Sequence, residues 1–480
     1  MDKADPRKIV ISPVTRIEGH AKITLQLDAQ GEVSDARFHV NEFRGFETFC
    51  LGRLYTEMPT ITPRICGICP VSHTVASVKA CEMIQGIAPA HTGHLLRKLM
   101  HLGQNIASHA LSFFHLSSPD FLLGYDADPA VRNIIGLAKQ YPDIARRGIR
   151  LRQFGQEISE RITGKKIHAM GIVPGGMSFP LSAANRKALL AWIPEVKETA
   201  RIGIEIIRRF HAENPDMVRS FAHFPTHYLG TVGPEGELDL YEGKLRFVDE
   251  GGAILQDQVP PGDYLEWIGE RSVSWSYLTY PYYKPLGADA GRYRVGPLAR
   301  LNVASRMKTP EAQAEFLRFR AIGEGKPVHG TFYYHYARLI ETLGSIEEID
   351  QLLQNGDITG TDIQVHGRWN YPVGIGHAEA PRGTLFHHYE TDGHGQLIKV
   401  NLLIATGQNN PSMNRAVLEV AKQYVHGDRL EEGMLNRVES AIRCYDPCLS
   451  CSTHAIGQMP MVVEVYDASG QLLQVAERRL

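Results

Sequence analysis

The chain has 480 residues, 43% hydrophobic and 22% charged, the profile of a globular protein whose core is divided among two to four compact units. Its formal charge is −2, which excludes a nucleic-acid or anionic-membrane binder held by bulk electrostatics. Seven cysteines are too few in so long a chain for a disulfide-stapled secreted scaffold.

Residues 1–10 are polar and charged, with no apolar run of signal-peptide type. No stretch reaches the roughly 18 apolar residues of a transmembrane helix. The expectation is a cytoplasmic protein without a membrane segment, although export with a signal-bearing partner stays open. Residues 9–11, the alternation of Ala21, Ile23, Leu25 and Leu27, and residues 36–40 after a Gly31 turn predict a small antiparallel sheet. Helical spacing follows over 72–87, which Pro89 ends, then over 91–116, 144–162 and 183–210, the last preceded by Pro180 and Ser182. Such long segments predict a central helix bundle. Residues 238–259 predict a small meander, and 277–283, with Pro281, a packed aromatic loop. Helices return over 310–317 and 331–355. Residues 385–389 and 397–404 predict a hairpin around Asp392-Gly393, 413–425 and 434–444 two helices, and 461–475 a hairpin around Ala468-Ser469-Gly470. The fold class is α+β, mainly α, with small peripheral antiparallel sheets at the N-terminus, mid-chain and near the C-terminus. The expected units are an N-terminal sheet and first loop (1–60), a helix-bundle core (61–235), a β-meander with the aromatic loop (236–300), helices, hairpin and C-terminal metal-binding segment (301–454), and a C-terminal extension (455–480).

Four cysteines form two Cys-x-x-Cys pairs, Cys66/Cys69 and Cys448/Cys451, near opposite ends of the chain. Each such turn aims two thiolates at one centre, so the two together can supply a four-sulfur site. Structural zinc is one reading, but its pairs usually staple a small module. A redox dithiol explains one pair and not two. A catalytic soft-metal site of nickel or iron is the third. Cys50, Cys81 and Cys444 have no partner motif and read as buried small hydrophobes. Residues 171–176, Gly-Ile-Val-Pro-Gly-Gly, follow no clear strand and are not a dinucleotide fingerprint.

The surroundings of the pairs are informative. The first reads Arg64-Ile65-Cys66-Gly67-Ile68-Cys69-Pro70-Val71-Ser72-His73, and the second Asp446-Pro447-Cys448-Leu449-Ser450-Cys451-Ser452-Thr453-His454. Together they resemble the two nickel-binding signatures of the [NiFe] hydrogenase large subunit. Pro13-Val14-Thr15-Arg16-Ile17-Glu18-Gly19-His20, Phe43-Arg44-Gly45-Phe46-Glu47 and Glu379-Ala380-Pro381-Arg382-Gly383 resemble three further motifs of that family. The wording around residues 42–73 and the ending Thr453-His454-Ala455 are most similar to the cytoplasmic bidirectional, NAD-reducing subgroup.

The resemblance implies reversible heterolytic cleavage of H2. Cys66 and Cys448 would bind nickel alone, while Cys69 and Cys451 bridge it to an iron that carries carbon monoxide and cyanide. Cys448 would accept the proton, and Glu18 would relay it. A carboxyl group in a dry pocket has a raised pKa and suits that task. Outside the motif, Glu18 reads as a capping acid. Arg382 would stand over the iron, oriented by Asp120 and Asp446, with Pro381 shaping the pocket and Thr406 bonding a cyanide. His73 would donate to a bridging sulfur. Glu47, His454 and a backbone carbonyl near Leu402 match ligands of a magnesium ion. Iron–sulfur clusters, FMN and NAD would lie on partners only: a small subunit with an iron–sulfur cluster, and diaphorase subunits. A maturation endopeptidase would cut after His454 and remove 455–480. Two other readings stand beside this one, a structural zinc protein with four cysteine ligands and a non-hydrogenase relative of the quinone-binding subunit of respiratory complex I. The second lacks the nickel cysteines that are present here.

Overall fold

The computed structural model describes residues 8–40, 42–426 and 430–453, together with the backbone of two strands nearer the C-terminus. Strands β1 (Lys8–Ile11), β2 (Ala21–Leu27) and β3 (Val33–Val40) form an antiparallel sheet in that order, as the period-two pattern requires. Helix α1 (Pro70–Gln85) starts with proline in its first turn and stops at Gly86, which is left-handed at φ 67°. Nearly all of α1 is buried, so it runs through the middle of the molecule.

Helices α2 (His91–Ala110), α3 (Pro142–Thr163), α4 (Ala183–Leu190) and α5 (Ile193–Glu213) follow. The helix predicted over 91–116 changes hydrogen-bonding pattern after Ala110 and continues as a π-helical turn, Leu111–Ser117. The helix predicted over 183–210 is two helices. Pro194 has no N–H to continue α4 and instead takes a first-turn position in α5.

Mid-chain, β4 (His227–Val232), β5 (Lys244–Val248) and β6 (Ile254–Val259) form a four-stranded sheet with the short β9 (Tyr293–Arg294), in the order β9-β4-β5-β6. Between them lie β7 (Ile268–Val273) and β8 (Ser276–Tyr283), a two-stranded antiparallel pair. The expected aromatic loop at 277–283 is therefore a strand. Pro281 is tolerated because a two-stranded ribbon leaves each strand one edge without ladder bonds.

Helices α6 (Pro310–Ile322) and α7 (Tyr334–Gln354) return the chain to the bundle, where α2, α3, α5 and α7 pack on one another. The hairpin expected at 385–404 is the later part of a three-stranded antiparallel sheet, β10 (Val373–Ala380), β11 (Gly383–Thr391) and β12 (Leu397–Leu403). Strand β10 lies against α1 at backbone distance. A Cβ on Gly374 would sit 2.1 Å from the Ala80 carbonyl oxygen, and one on Gly376 1.9 Å from that of Ala76. Helix α8 (Ala405–Tyr424) begins earlier than the predicted 413 and contains Pro411; it packs on β3, β8 and α9 (Glu432–Tyr445). Beyond it, β13 (Met461–Tyr466) and β14 (Leu472–Arg478) pair antiparallel, as expected of a hairpin there.

A buried ionic knot ties α7 to the β10–β11 turn. Arg300 donates to both carboxylate oxygens of Glu341 (2.6 and 2.7 Å), to Glu379 (2.8 Å) and to the Ala380 carbonyl (2.8 Å), with no side-chain exposure at any of the three charged residues. Burial raises the Glu341 pKa, but Arg300 and His109 outweigh it and hold the carboxyl at about 2. Burial holds His109 at about 4 and His101 at about 3, so both are neutral in the fold.

A folded-state pKa below the unfolded value of about 6.5 means stability that is complete above that pH and lost as pH falls. Thermal unfolding is expected to be flat from pH 8 to 7. It should then fall progressively below about pH 6.5, as unfolding lets His101 and His109 charge, at about 1.4 kcal/mol per tenfold change in proton affinity. A midpoint unchanged between pH 7 and pH 5 would contradict this.

Candidate metal centre

Cys66 follows the 3-10 turn Thr62–Ile65, and Cys69 caps α1, so the first pair sits where a loop meets a buried helix. Cys448 and Cys451 flank and enter the four-residue helix Leu449–Ser452, just after α9. The four sulfurs lie within 4.8 Å of one another, and all four residues are at most 4% exposed. Individual Sγ···Sγ separations are 3.2 Å for Cys66–Cys448, 3.3 Å for Cys69–Cys451 and 2.8 Å for Cys448–Cys451. Hydrogen bonds from Cys448, Cys451 and Cys69 hold the Cys66 thiol well below its usual range. Burial, with the neighbouring sulfurs, pushes Cys448 and Cys451 well above theirs. The quartet can ionise fully only around a cation, so the donor set fits a thiophilic metal.

Several clamps hold the two loops together. Arg44 donates to the Ile65 carbonyl on one side and to the Ser450 carbonyl (3.4 Å) on the other. The Glu18 backbone bridges to Cys448, with Leu449 N–H donating to the Glu18 carbonyl at 3.2 Å. Ser450 N–H donates to Glu18 Oε2 at 3.1 Å. The Glu18 segment is itself pinned to α9, since Thr15 donates through N–H and hydroxyl to the two oxygens of Glu439 (2.9 and 2.8 Å). Thr406 Oγ1 accepts from Cys448 N–H at 3.0 Å, so its hydroxyl holds backbone at this site.

Arg382 arrives on a two-residue turn, Pro381-Arg382, between the paired residues Ala380 and Gly383. Gly383 has φ 136°, and a Cβ there would meet Val295 at 2.4 Å. The guanidinium lies 3.1 Å from Asp446 Oδ2, donates through Nε to the Asp446 carbonyl, and reaches Ser108 Oγ at 3.4 Å. Burial opposes its charge, but Asp446 and the sulfurs of Cys448, Cys69 and Cys66 prevail and keep Arg382 charged. Asp446 ends α9 in the left-handed region at φ 53°, an uncommon conformation for a non-glycine residue. Cys69, Cys448, Cys451, His73, Pro381, Arg382 and Thr406 all line one small pocket, of about 10 Å³.

Asp120 is placed differently from expectation. It bonds Arg443 (3.1 Å), Asn436 (3.0 Å) and Arg16 rather than Arg382, so it braces the Glu18 segment against α9. Glu47 and Leu402 lie together, Leu402 N–H donating to Glu47 Oε1 at 2.8 Å. His454 lies outside the described residues. Cys50, Cys81 and Cys444 are buried, and burial pushes all three thiols up, Cys50 to about 11 and Cys444 to about 12. Sequence reasoning missed Arg300, Ser108 and the role of Arg44. Only Arg44 stood inside a motif that could have flagged it.

The nickel-dependent hydrogenase family pattern matches residues 44–146 and 257–454, which carry both cysteine pairs, and a HoxL-like pattern matches 8–43. This chain belongs to the nickel-dependent hydrogenases. It is 41% identical to the NAD-reducing hydrogenase HoxS subunit beta of Cupriavidus necator, over 98% of this chain and all of that one. It is 31% identical to the alpha chain of sulfhydrogenase 2 of Pyrococcus furiosus, over 93% of this chain and 99% of that one. Among solved structures, an NAD+-reducing [NiFe]-hydrogenase in the H2-reduced state superposes with TM-score 0.91 at 44% identity, covering 93% of this chain and 99% of that one. The Ni-Fe-Se hydrogenase of D. vulgaris Hildenborough superposes with TM-score 0.76 at 25% identity, over 94% and 100%. The expected α+β class, with long helices and small antiparallel sheets, holds. No described helix is long and apolar enough to cross a membrane.

A lysine at 382 would keep the charge and lose the planar fork that engages Asp446 twice. Arg382→Lys is expected to lower hydrogen oxidation about 100-fold, the scale for one misplaced donor in a buried site, while nickel content stays at the wild-type level. Wild-type turnover in this variant would remove Arg382 from the working site.

Proposed function

We propose that this chain is the H2-cleaving subunit of a heteromeric, NAD-linked hydrogenase and holds a nickel–iron pair among Cys66, Cys69, Cys448 and Cys451. The observation that carries the reading is the buried four-sulfur cluster closed over by a charged Arg382. Cys66 and Cys448 would hold nickel, and Cys69 and Cys451 would serve both nickel and iron. The pocket under Arg382 and Pro381 is lined by Cys69, Cys448 and Cys451. The iron would carry carbon monoxide and cyanide. A metal pair held there supplies the Lewis acidity that polarises dihydrogen.

The chain's own groups do the rest. Cys448 Sγ takes the proton. Glu18 serves as the relay: its backbone is joined to Cys448 and its carboxylate accepts from Ser450 N–H. Glu18 is half-buried, and a carboxyl so placed can pass a proton outward. Arg382 and the apolar side chains of Pro381 and Leu385 keep the pocket narrow and supply a fixed positive charge.

The three cysteines outside the cluster are buried thiols held protonated. Electrons therefore leave through a partner subunit with an iron–sulfur cluster, and pass to NAD through a flavin-bearing diaphorase. We place the complex in the cytoplasm, where NAD is available. Glu47 and Leu402, with His454, would hold magnesium; the contact between the first two supports this. A maturation endopeptidase would remove 455–480.

Active protein is expected to contain nickel and iron in equal amounts and to show infrared bands of bound carbon monoxide and cyanide. Zinc alone would identify a structural site instead. Cys448→Ser should abolish nickel-dependent H2 turnover, and retained turnover would refute its place as a ligand. The mass of the active subunit should end at His454, an expectation that an intact Leu480 defeats.

A further inference from the structure

Helix α1 opens at the sulfur cluster, and its first turn is closed without the side chain that stands at its head. An α-helix leaves its first N–H groups without partners inside the helix, and the side chain of the residue just before it is their common acceptor. Here that residue is Cys69, which makes no capping bond and whose sulfur lies 3.3 Å from that of Cys451. Pro70 follows and has no N–H to satisfy. Val71 and Ser72 come next, and both N–H groups donate to Gln104 Oε1, at 2.6 and 3.2 Å. His73 N–H reaches the Cys69 carbonyl at 3.5 Å. The turn after Cys69 is thus fully paired, and the acceptor comes from α2. Two backbone donors can meet only the oxygen end of an amide, which leaves Gln104 Nε2 to donate to the Ser72 hydroxyl oxygen.

The same face of α2 serves the other half of the site. His101, Gln104 and Ser108 stand at i, i+3 and i+7, on one side of the helix, and all three are buried. His101 Nε2 donates to the Glu379 carbonyl at 2.9 Å, near the end of the strand that leads into the Pro381-Arg382 turn. Ser108 Oγ accepts from Arg382 at 3.4 Å. One helix therefore grips both the head of the Cys69 helix and the turn that carries Arg382. A sulfur in this loop is able to accept a backbone N–H, as Cys66 does from Ile68 at 3.2 Å. With Gln104 occupying the Val71 and Ser72 donors, Cys69 makes no such bond to its helix.

We propose that Gln104 is a positioning residue for the metal centre: it caps α1 from α2 and keeps the first-turn N–H groups off the Cys69 sulfur. The infrared part of the test rests on the hydrogenase reading, whereas amide exchange in the full chain needs no metal. The Val71 and Ser72 amides should be protected in the wild type; rapid exchange at both overturns the proposal whatever the variants do. Gln104→Met keeps a similar volume and lacks a strong acceptor. Both amides should then exchange about tenfold faster, the scale of one lost hydrogen bond. Gln104→Glu keeps acceptor oxygens beside the positive end of the helix and should show wild-type protection. Equal exchange in Gln104→Met and the wild type overturns the proposal. In Gln104→Met the released N–H groups turn to Cys69 Sγ, and a donor on a thiolate withdraws electron density from the metals. With nickel and iron at wild-type levels, the carbon monoxide band of Gln104→Met should move to higher wavenumber, and that of Gln104→Glu should not. A Gln104→Met band at the wild-type position, or an equal upward shift in both variants, overturns the proposal. Absence of nickel and of the infrared bands from the wild type would instead count against the hydrogenase reading, while amide exchange still decides this one.

Discussion

Four sulfurs drawn from opposite ends of the chain occupy a space where they cannot all be charged unless a cation joins them. That constraint organises much of the fold. Helix α1 has to deliver Cys69 from within the interior, so it is buried on nearly every side and accepts β10 at glycine distance. The C-terminal loop has to reach the same point, so it is tied by backbone bonds to Glu18 and by Arg44 to the first loop. Metal binding at such a cluster releases protons, which couples occupancy to pH as well as to folding.

A second tier of charges holds what stands over the sulfurs. Arg382 projects from a two-residue turn that has no freedom to wander, because Arg300 grips the Ala380 carbonyl beneath it and is itself locked to Glu341 and Glu379. Breaking a fully buried pair of this kind leaves an uncompensated charge and costs about 3–5 kcal/mol. Replacing the whole group by apolar residues of similar volume is often neutral, so the knot serves geometry more than stability. Asp446 completes the arrangement in a left-handed conformation that Arg382 holds by both its backbone and its side chain.

The site was legible wherever function compressed into short runs. Both cysteine pairs, Glu18 and the Pro381-Arg382 turn stand in contiguous motifs, and all meet within the same region of the fold. Asp120 was legible as a residue but not in its partner, because the choice between Arg382 and Arg443 is made by the packing of α9, which local spacing does not encode. Arg300 was invisible for the same reason, since its partners lie far away in sequence. The fold shows the same division. Long amphipathic helices were read from their period, whereas Pro281 masked a ribbon strand and Pro194 split a helix that looked continuous.

The bridge between Glu18 and Cys448 gives the molecule an unusual relation between linear order and architecture. The loop after β1 and the last cysteine loop are structural neighbours, so the polypeptide behaves almost as a closed ring whose clasp is the reactive centre. The clasp cannot fasten until synthesis has passed Cys451, and the Glu18 loop, made first, has to wait for its partner. Damage at either extremity is then felt in the middle, where the sulfurs are.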